Sequence, residues 1–287
     1  MTAPANQQSV LITGATDGLG RATAVYLAER GYRVIGAGRN AAKRAEVEQL
    51  ARERKLLLEM LEMDVTRDAS VDAAVTEAER RAGQIDVLIN NAGYAVIAPV
   101  EELSLDDLRA QFETNFIGVV RVTQRVLPAM RARRAGRILN MSSIAGKFAW
   151  PLFGAYSASK HALEGISDAL RLELHSFGIH VVLIEPGFIP SNMGNVSTEV
   201  GAAYISRAKE SPYAKVYSGF RAQWKQTMSH AKSKPEDCAR VVHRAITDTP
   251  PKPRYTVTRR AAILSVAKRV LPDSMIDRRT LRAYGLE

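Results

Sequence analysis

The sequence predicts an α/β fold: a doubly wound parallel sheet with helices on both faces, in three layers α/β/α. Three observations carry this. Short apolar runs of strand length alternate with longer segments of helical period, and a glycine-rich turn joins the first run directly to the first helix. Polar residues also gather at the carboxyl ends of the runs, where sheets of this kind hold their ligands. The 287 residues are 46% hydrophobic, enough for one large core. No break in composition marks a linker, so residues 1–287 are read as a single domain.

Ser9-Val10-Leu11-Ile12-Thr13 reads as a short buried strand. It runs into Thr13-Gly14-Ala15-Thr16-Asp17-Gly18-Leu19-Gly20 and then a helix, Arg21 to Arg30. Glycines at a strand-to-helix turn let the backbone approach a pyrophosphate, which the positive end of the helix can hold. The spacing is GxxxGxG rather than the GxGxxG of the standard dinucleotide fingerprint, so the position after the first strand carries the reading. The second strand, Arg33 to Ala37, ends at Gly38-Arg39. An NAD site calls for an acidic residue about 20 residues past the glycines. None occurs between Glu29 and Glu46; Arg39 stands there, with Lys43 and Arg44 behind it. A guanidinium suits a 2′-phosphate through paired, charge-assisted hydrogen bonds. NADP(H) is therefore expected over NAD(H), the alternative being a solvated loop arginine.

Next come a helix over Ala41 to Arg54 and a third strand near Leu56 to Met63, ending in Asp64-Val65. A helix over Val71 to Ala82 precedes the fourth strand, Ile85 to Ile89, which leads into Asn90-Asn91-Ala92-Gly93. Such alternation implies right-handed crossovers and a parallel sheet. A later strand-like run, Arg137 to Met141, ends in Ser142 and Ser143. After a loop with Gly146, Pro151 and Gly154 come Tyr156 and Lys160, four residues apart in a helix-favouring segment, hence on one helical face. A free phenol loses its proton near pH ~10; a fixed ammonium beside it favours the phenolate and makes it a usable acid or base. A serine hydroxyl from the strand end can hold the same substrate oxygen.

The ordered set Thr13-Gly14-xxx-Gly18-x-Gly20, Asp64, Asn90 to Gly93, Asn115, Ser143, Tyr156-Ser157-Ala158-Ser159-Lys160 and Pro186-Gly187 resembles the classical short-chain dehydrogenase/reductase family over residues 9 to 191. The resemblance implies a Rossmann-type sheet in the order 3-2-1-4-5-6-7. It implies that Tyr156 is the acid/base, that Ser143 polarises the substrate oxygen with Ser142 a structural neighbour, and that Lys160 lowers the tyrosine pKa and holds the nicotinamide ribose. It also implies that Asn115 helps a water relay protons. Asp64 and Val65 would border the adenine, Asn91, Ala92 and Gly93 its ribose side, and Pro186, Gly187 and Ile189 the nicotinamide. Ser191 stands where the family often has Thr, and Asp17 where some NADP-dependent members carry a basic residue. Residues 165–174 and 183–187, with the tail at 234–255, are similar to the steroid and retinol dehydrogenase-like branch. The implied activity is hydride transfer between a nicotinamide and a small-molecule carbonyl or alcohol, by a homodimer or homotetramer.

Residues 188–234 carry Tyr204, Tyr213, Tyr217, Phe220, Trp224 and Met228. They are expected either to cover a lipophilic substrate, with Trp150 and Phe153, or to form the core of two ordinary helices. Residues 201–287 hold eighteen Lys and Arg against seven Asp and Glu, so the formal charge of +10 belongs to the C-terminal third. Without a recognised motif, nucleic acid is not the expected partner. Residues 258–287 form a basic amphipathic extension, expected to pack on its own protein, with weak membrane association or a subunit contact as alternatives. Cys238 is the single cysteine, and no metal-ligand cluster is apparent. The N-terminus does not look like a secretory signal and no run reaches the ~18 apolar residues of a span; a cytoplasmic location is expected. The alternatives to an enzyme acting on a lipophilic substrate are a reductase of small ketones or aldehydes, and a cofactor-binding sensor. A sensor of that kind would tend to lack the Tyr and Lys present here.

Overall fold

In the computed structural model, which describes residues 8–190 and 201–287, seven strands form one parallel sheet. They are β1 (Ser9–Thr13), β2 (Arg33–Gly38), β3 (Leu58–Glu62), β4 (Val87–Asn90), β5 (Gly136–Met141), β6 (Ile179–Glu185) and β7 (Arg254–Thr256). The order is β3-β2-β1-β4-β5-β6-β7, as the resemblance implies. Strands covered on both faces read as continuous apolar runs, and every residue of β1 and β4 is buried. Side-chain alternation then divides the core. Val10 and Ile12 face the helices α1 (Gly18–Ala28) and α2 (Ala41–Glu53), while Leu11 faces α3 (Asp68–Ala82) on the other side.

The remaining helices are α4 (Leu105–Phe112), α5 (Gly118–Ala132), α6 (Gly154–Glu173), α7 (Ala202–Ser206), α8 (Ala214–Ser229), α9 (Pro235–Thr247), α10 (Arg259–Val270) and α11 (Asp273–Ala283). Cys238 and Val242 of α9 join the first core face, Val122 and Val126 of α5 the second.

Strands β3 and β4 begin two residues later than the sequence reading, at Leu58 and Val87, and two helices begin earlier. The first helix starts at Gly18, three positions before its apolar period, because the Asp17 carboxylate accepts from Gly18 N at 2.7 Å. The third helix likewise gains a polar first turn, Asp68 to Ser70, whose acidic residue suits the positive end. Among the described residues no helix is long and apolar enough to cross a membrane.

Candidate active site

The carboxyl ends of the strands converge on one edge, beginning with the glycine turn after β1. Gly14 has φ +66°, in the left-handed region, and a Cβ there would lie 2.8 Å from Ala92 Cα. A Cβ on Gly20 would fall 2.2 Å from the Gly14 carbonyl and 2.4 Å from Asn91 Nδ2. Asn91 Nδ2 donates to the carbonyls of Thr13 and Gly14, both at 3.0 Å. Thr13 Oγ1 accepts from the amides of Asn91 and Ala92 at 3.0 and 3.1 Å. The ends of β1 and β4 are thereby tied into one unit beside the positive end of α1. Leu19 packs on the core below, and Thr16 lies where a Cβ on Gly38 would come within 2.5 Å of its Cγ2.

Beyond β2, the three cations of the sequence reading have different surroundings. Lys43 Nζ pairs with Asp17 at 2.6 Å. Arg44 is held by the carbonyls of Gly38 and Arg39 and by Glu62. The Arg39 side chain is 67% exposed and meets Asp64 at 3.9 Å. Burial alone would raise the Asp64 pKa, but hydrogen bonds from Thr66 and the charges of Arg39 and Arg67 outweigh it and hold the carboxyl low. Val65 is buried, and its carbonyl accepts from Arg121 at 2.7 Å.

Asn115 is fully buried in a single π-turn, Glu113–Ile117, that interrupts the helix between α4 and α5. Insertions of this kind re-aim a side chain. Its Nδ2 donates to the Tyr94 carbonyl at 2.8 Å and to Ser159 Oγ at 3.1 Å, and its Oδ1 accepts from Tyr94 N at 3.0 Å. Ser159 Oγ in turn donates to the Tyr156 carbonyl at 2.7 Å.

Tyr156 and Lys160 share one face of α6 and are 7% and 4% exposed. Burial pushes the Tyr156 phenol up, with a hydrogen bond from Ser143 working against it. Burial pulls Lys160 down to about 8, opposed by the charge of Glu164. The four-residue spacing predicts an ammonium that lowers the phenol. In the structure Lys160 Nζ stands 5.7 Å from the Tyr156 ring centroid and donates to the Met141 carbonyl at 2.7 Å, so desolvation decides both groups. A phenol kept protonated suits proton donation. A Cβ on Gly93 would lie 3.0 Å from Asn115 Oδ1 and 3.8 Å from Lys160 Nζ; a bare backbone here leaves room for a flat ring or a sugar against both groups.

Ser143 Oγ accepts from Ala145 N at 3.1 Å, opening a tight turn, Ile144–Gly146. Ile144 N donates to the Pro186 carbonyl at 2.9 Å, joining that turn to the end of β6. A Cβ on Gly187 would meet Thr258 Oγ1 at 2.2 Å, and Ile189 is buried. Ser191 lies outside the described residues.

Over Tyr156 stands a wall of rings. Phe153 meets Tyr156 edge-on at 5.9 Å and stacks on Trp224 at 6.0 Å; Phe220 stacks on Trp224 at 5.8 Å. Phe188 contacts both Trp150, at 5.6 Å, and Trp224, at 6.0 Å.

The strand-end motifs give no sign of a charged network behind the site. Ser142 Oγ donates to Glu164 at 2.5 Å, and Arg254 Nε donates to the same carboxylate at 3.0 Å and to Asp168 through Nη2 at 2.6 Å. Lys147 pairs with the fully buried Glu185 at 2.5 Å. The one sequence hint was the i, i+4 placement of Glu164 after Lys160.

Residues 8–200 match the family model for short chain dehydrogenase. The chain belongs to this family. Among relatives, it is 44% identical over 180 residues to a 3-ketodihydrosphingosine reductase of Bacteroides thetaiotaomicron, a match spanning 63% of each chain. It is 31% identical to retinol dehydrogenase 8 of Bos taurus over 90% of this chain and 84% of that one. Solved structures agree. A short-chain dehydrogenase/reductase from Burkholderia phymatum in complex with NAD superposes with TM-score 0.80 at 26% identity, covering 94% of this chain and 95% of that one. A single-residue variant of actinorhodin polyketide ketoreductase with NADPH gives 0.76 at 30%, covering 89% and 97%. Short-chain dehydrogenases solved with NAD and with NADPH thus share this fold, and the chain is an oxidoreductase of that family.

Proposed function

We propose that this short-chain dehydrogenase uses NADP(H) to reduce the carbonyl of a lipophilic small molecule to a secondary alcohol, with Asn115, Ser143, Tyr156 and Lys160 as its catalytic residues. The observation that carries the reading is the placement of a buried phenol, held protonated by desolvation, beneath a wall of five aromatic rings. When bound, the nicotinamide supplies the hydride. Gly14 to Gly20 with Asn91 to Gly93 would hold its pyrophosphate and ribose side, and Pro186, Gly187, Ile189 and Ser191 its nicotinamide end. Exposed Arg39 is the group for a 2′-phosphate, with Asp64 and Val65 at the adenine. Ser143 hydrogen-bonds the substrate oxygen and Tyr156 gives it a proton as the carbonyl carbon becomes tetrahedral. The Lys160 ammonium then stabilises the phenolate left behind, and the Asn115 neighbourhood admits a proton back.

NADP(H) supports the reducing direction, since cells keep that couple mostly reduced. The names of the relatives, a sphingoid ketone reductase and a retinol dehydrogenase, support an extended apolar substrate. Residues 188–234 are read as its cover within one domain. A cytoplasmic site suits the buried lone thiol Cys238. Leu105, Ile117 and Leu172, large and exposed, suit a homodimer or homotetramer. The test is NADPH oxidation against steroids, retinoids, long-chain aldehydes and small ketones. Turnover of apolar carbonyls is expected, with a loss of about 10²- to 10⁴-fold in kcat for Tyr156→Phe and cofactor affinity retained. A Tyr156→Phe enzyme with full kcat overturns the reading.

A further inference from the structure

The basic excess of the chain reaches its surface most densely in α10 and α11. The pair is fastened at its ends. At the first, Thr258 Oγ1 accepts from Ala261 N at 3.1 Å, Ala261 is buried beside Ile144 and Phe148, and the Arg260 guanidinium lies 5.6 Å from the centroid of the Phe188 ring. At the second, Tyr284 is buried against Tyr217 and Phe220 of the aromatic cluster. Between these anchors the helices are almost uncovered: Ala261 is the one buried residue of α10, and α11 has none.

What they expose is unusual for a monomer surface. Ile263, Val266 and Val270 are 69%, 60% and 69% exposed, and their spacing of three and four places them on one stripe. Leu271, Met275 and Leu281, on the turn and helix that follow, are exposed as well. Residues 258–287 carry seven Lys and Arg against three Asp and Glu, and all seven cations are exposed. Lys268 pairs with Asp273 and Arg282 with Glu287. Arg259, Arg269, Arg278 and Arg279 make no ion pair among the described residues.

We propose that this face docks on an anionic lipid surface, with the apolar stripe in the interface and the cations at headgroup phosphates. Charge complementarity selects this occupant. A second copy of the same face would set like charges against each other, and an apolar protein groove would leave four arginines unmatched. Neither helix spans a bilayer; the contact is peripheral. Because both anchors belong to the substrate wall, docking turns the mouth of that wall toward the lipid. This purpose rests on the lipophilic-substrate reading, whereas the docking itself does not.

The test is co-sedimentation of the full chain with vesicles of phosphatidylcholine alone and of phosphatidylcholine with phosphatidylglycerol, needing neither NADPH nor substrate. Binding to the anionic vesicles is expected, at least about tenfold tighter than to the neutral ones, and released by molar salt. Ile263→Asp with Val266→Asp, and separately Arg269→Glu with Arg279→Glu, should each lose about tenfold or more. If either double variant fails to melt cooperatively, the lipid and salt comparisons on the unaltered chain still decide. Equal partitioning to both vesicles, or none, overturns the proposal. So does self-association that the same substitutions abolish in the absence of lipid binding.

Discussion

Ser142 Oγ donates to the Glu164 carboxylate at 2.5 Å, linking the end of β5 to the helix that carries Tyr156 and Lys160. Burial raises the Glu164 pKa, and the Ser142 hydrogen bond and Arg254 oppose it. A Cβ on Gly146 would lie 2.9 Å from Ser142 Oγ and 3.0 Å from Glu164 Cγ, so the contact requires glycine in the turn after Ser143. Glu164→Ala removes one of three carboxylates around Arg254, leaving Asp168 and the buried Glu185, and strands the buried Ser142 hydroxyl, so a loss of about 1 to 3 kcal/mol in unfolding free energy is expected. Glu164→Gln keeps an acceptor for Ser142 and should lose less than half of that. Urea denaturation of the two variants checks the order; equal losses would contradict it.

Lys160 supplies a pH signature with opposite signs for rate and stability. Its folded pKa is lowered to about 8 from an ordinary 10.5, so the neutral amine appears in the folded protein first. The reduction rate should hold steady below about pH 8 and fall above it as the ammonium is lost. Over the same window, up to the ordinary lysine value, the unfolded chain keeps a proton that the folded chain lacks. The Lys160 contribution to folding stability therefore rises with pH. A rate profile flat through pH 8, or a Lys160→Met variant with unchanged stability slope, would count against this.

Arg39 is the test of cofactor choice. Arg39→Asp removes the exposed guanidinium and sets a carboxylate where ribose hydroxyls would sit. The NADP(H)/NAD(H) preference in kcat/KM should move toward NAD(H) by about 10- to 100-fold. An unchanged ratio would remove Arg39 from the phosphate site.

Gly20→Ala places a methyl 2.2 Å from the Gly14 carbonyl, against backbone that cannot swing aside. The variant should lose about 1 to 3 kcal/mol of stability and bind NADPH more weakly in fluorescence titration. Wild-type affinity in the variant would show that the turn does not shape that site.

The strands were legible because sheets buried on both faces write themselves as unbroken apolar runs, and β1 matches its reading residue for residue. Helix starts were less so. Asp17 and the polar turn at Asp68 extend α1 and α3 by interactions that apolar period does not register. At the site, Ser143, Tyr156 and Lys160 stood out through local spacing, and the fold brings them to one strand edge. The salt links of Arg254 join residues 86 and 90 positions apart, a separation at which no local pattern signals contact. The pKa balance was illegible for the same reason: desolvation of Tyr156 comes from Phe153 and its neighbours, which assemble only in the fold.

The chain has two tryptophans, and both Trp150 and Trp224 stand in the ring wall above Tyr156. Its tryptophan fluorescence therefore issues from one place. Whatever parts those rings will announce itself in the emission spectrum without any added dye, and a molecule that binds elsewhere on the chain will leave the spectrum as it was.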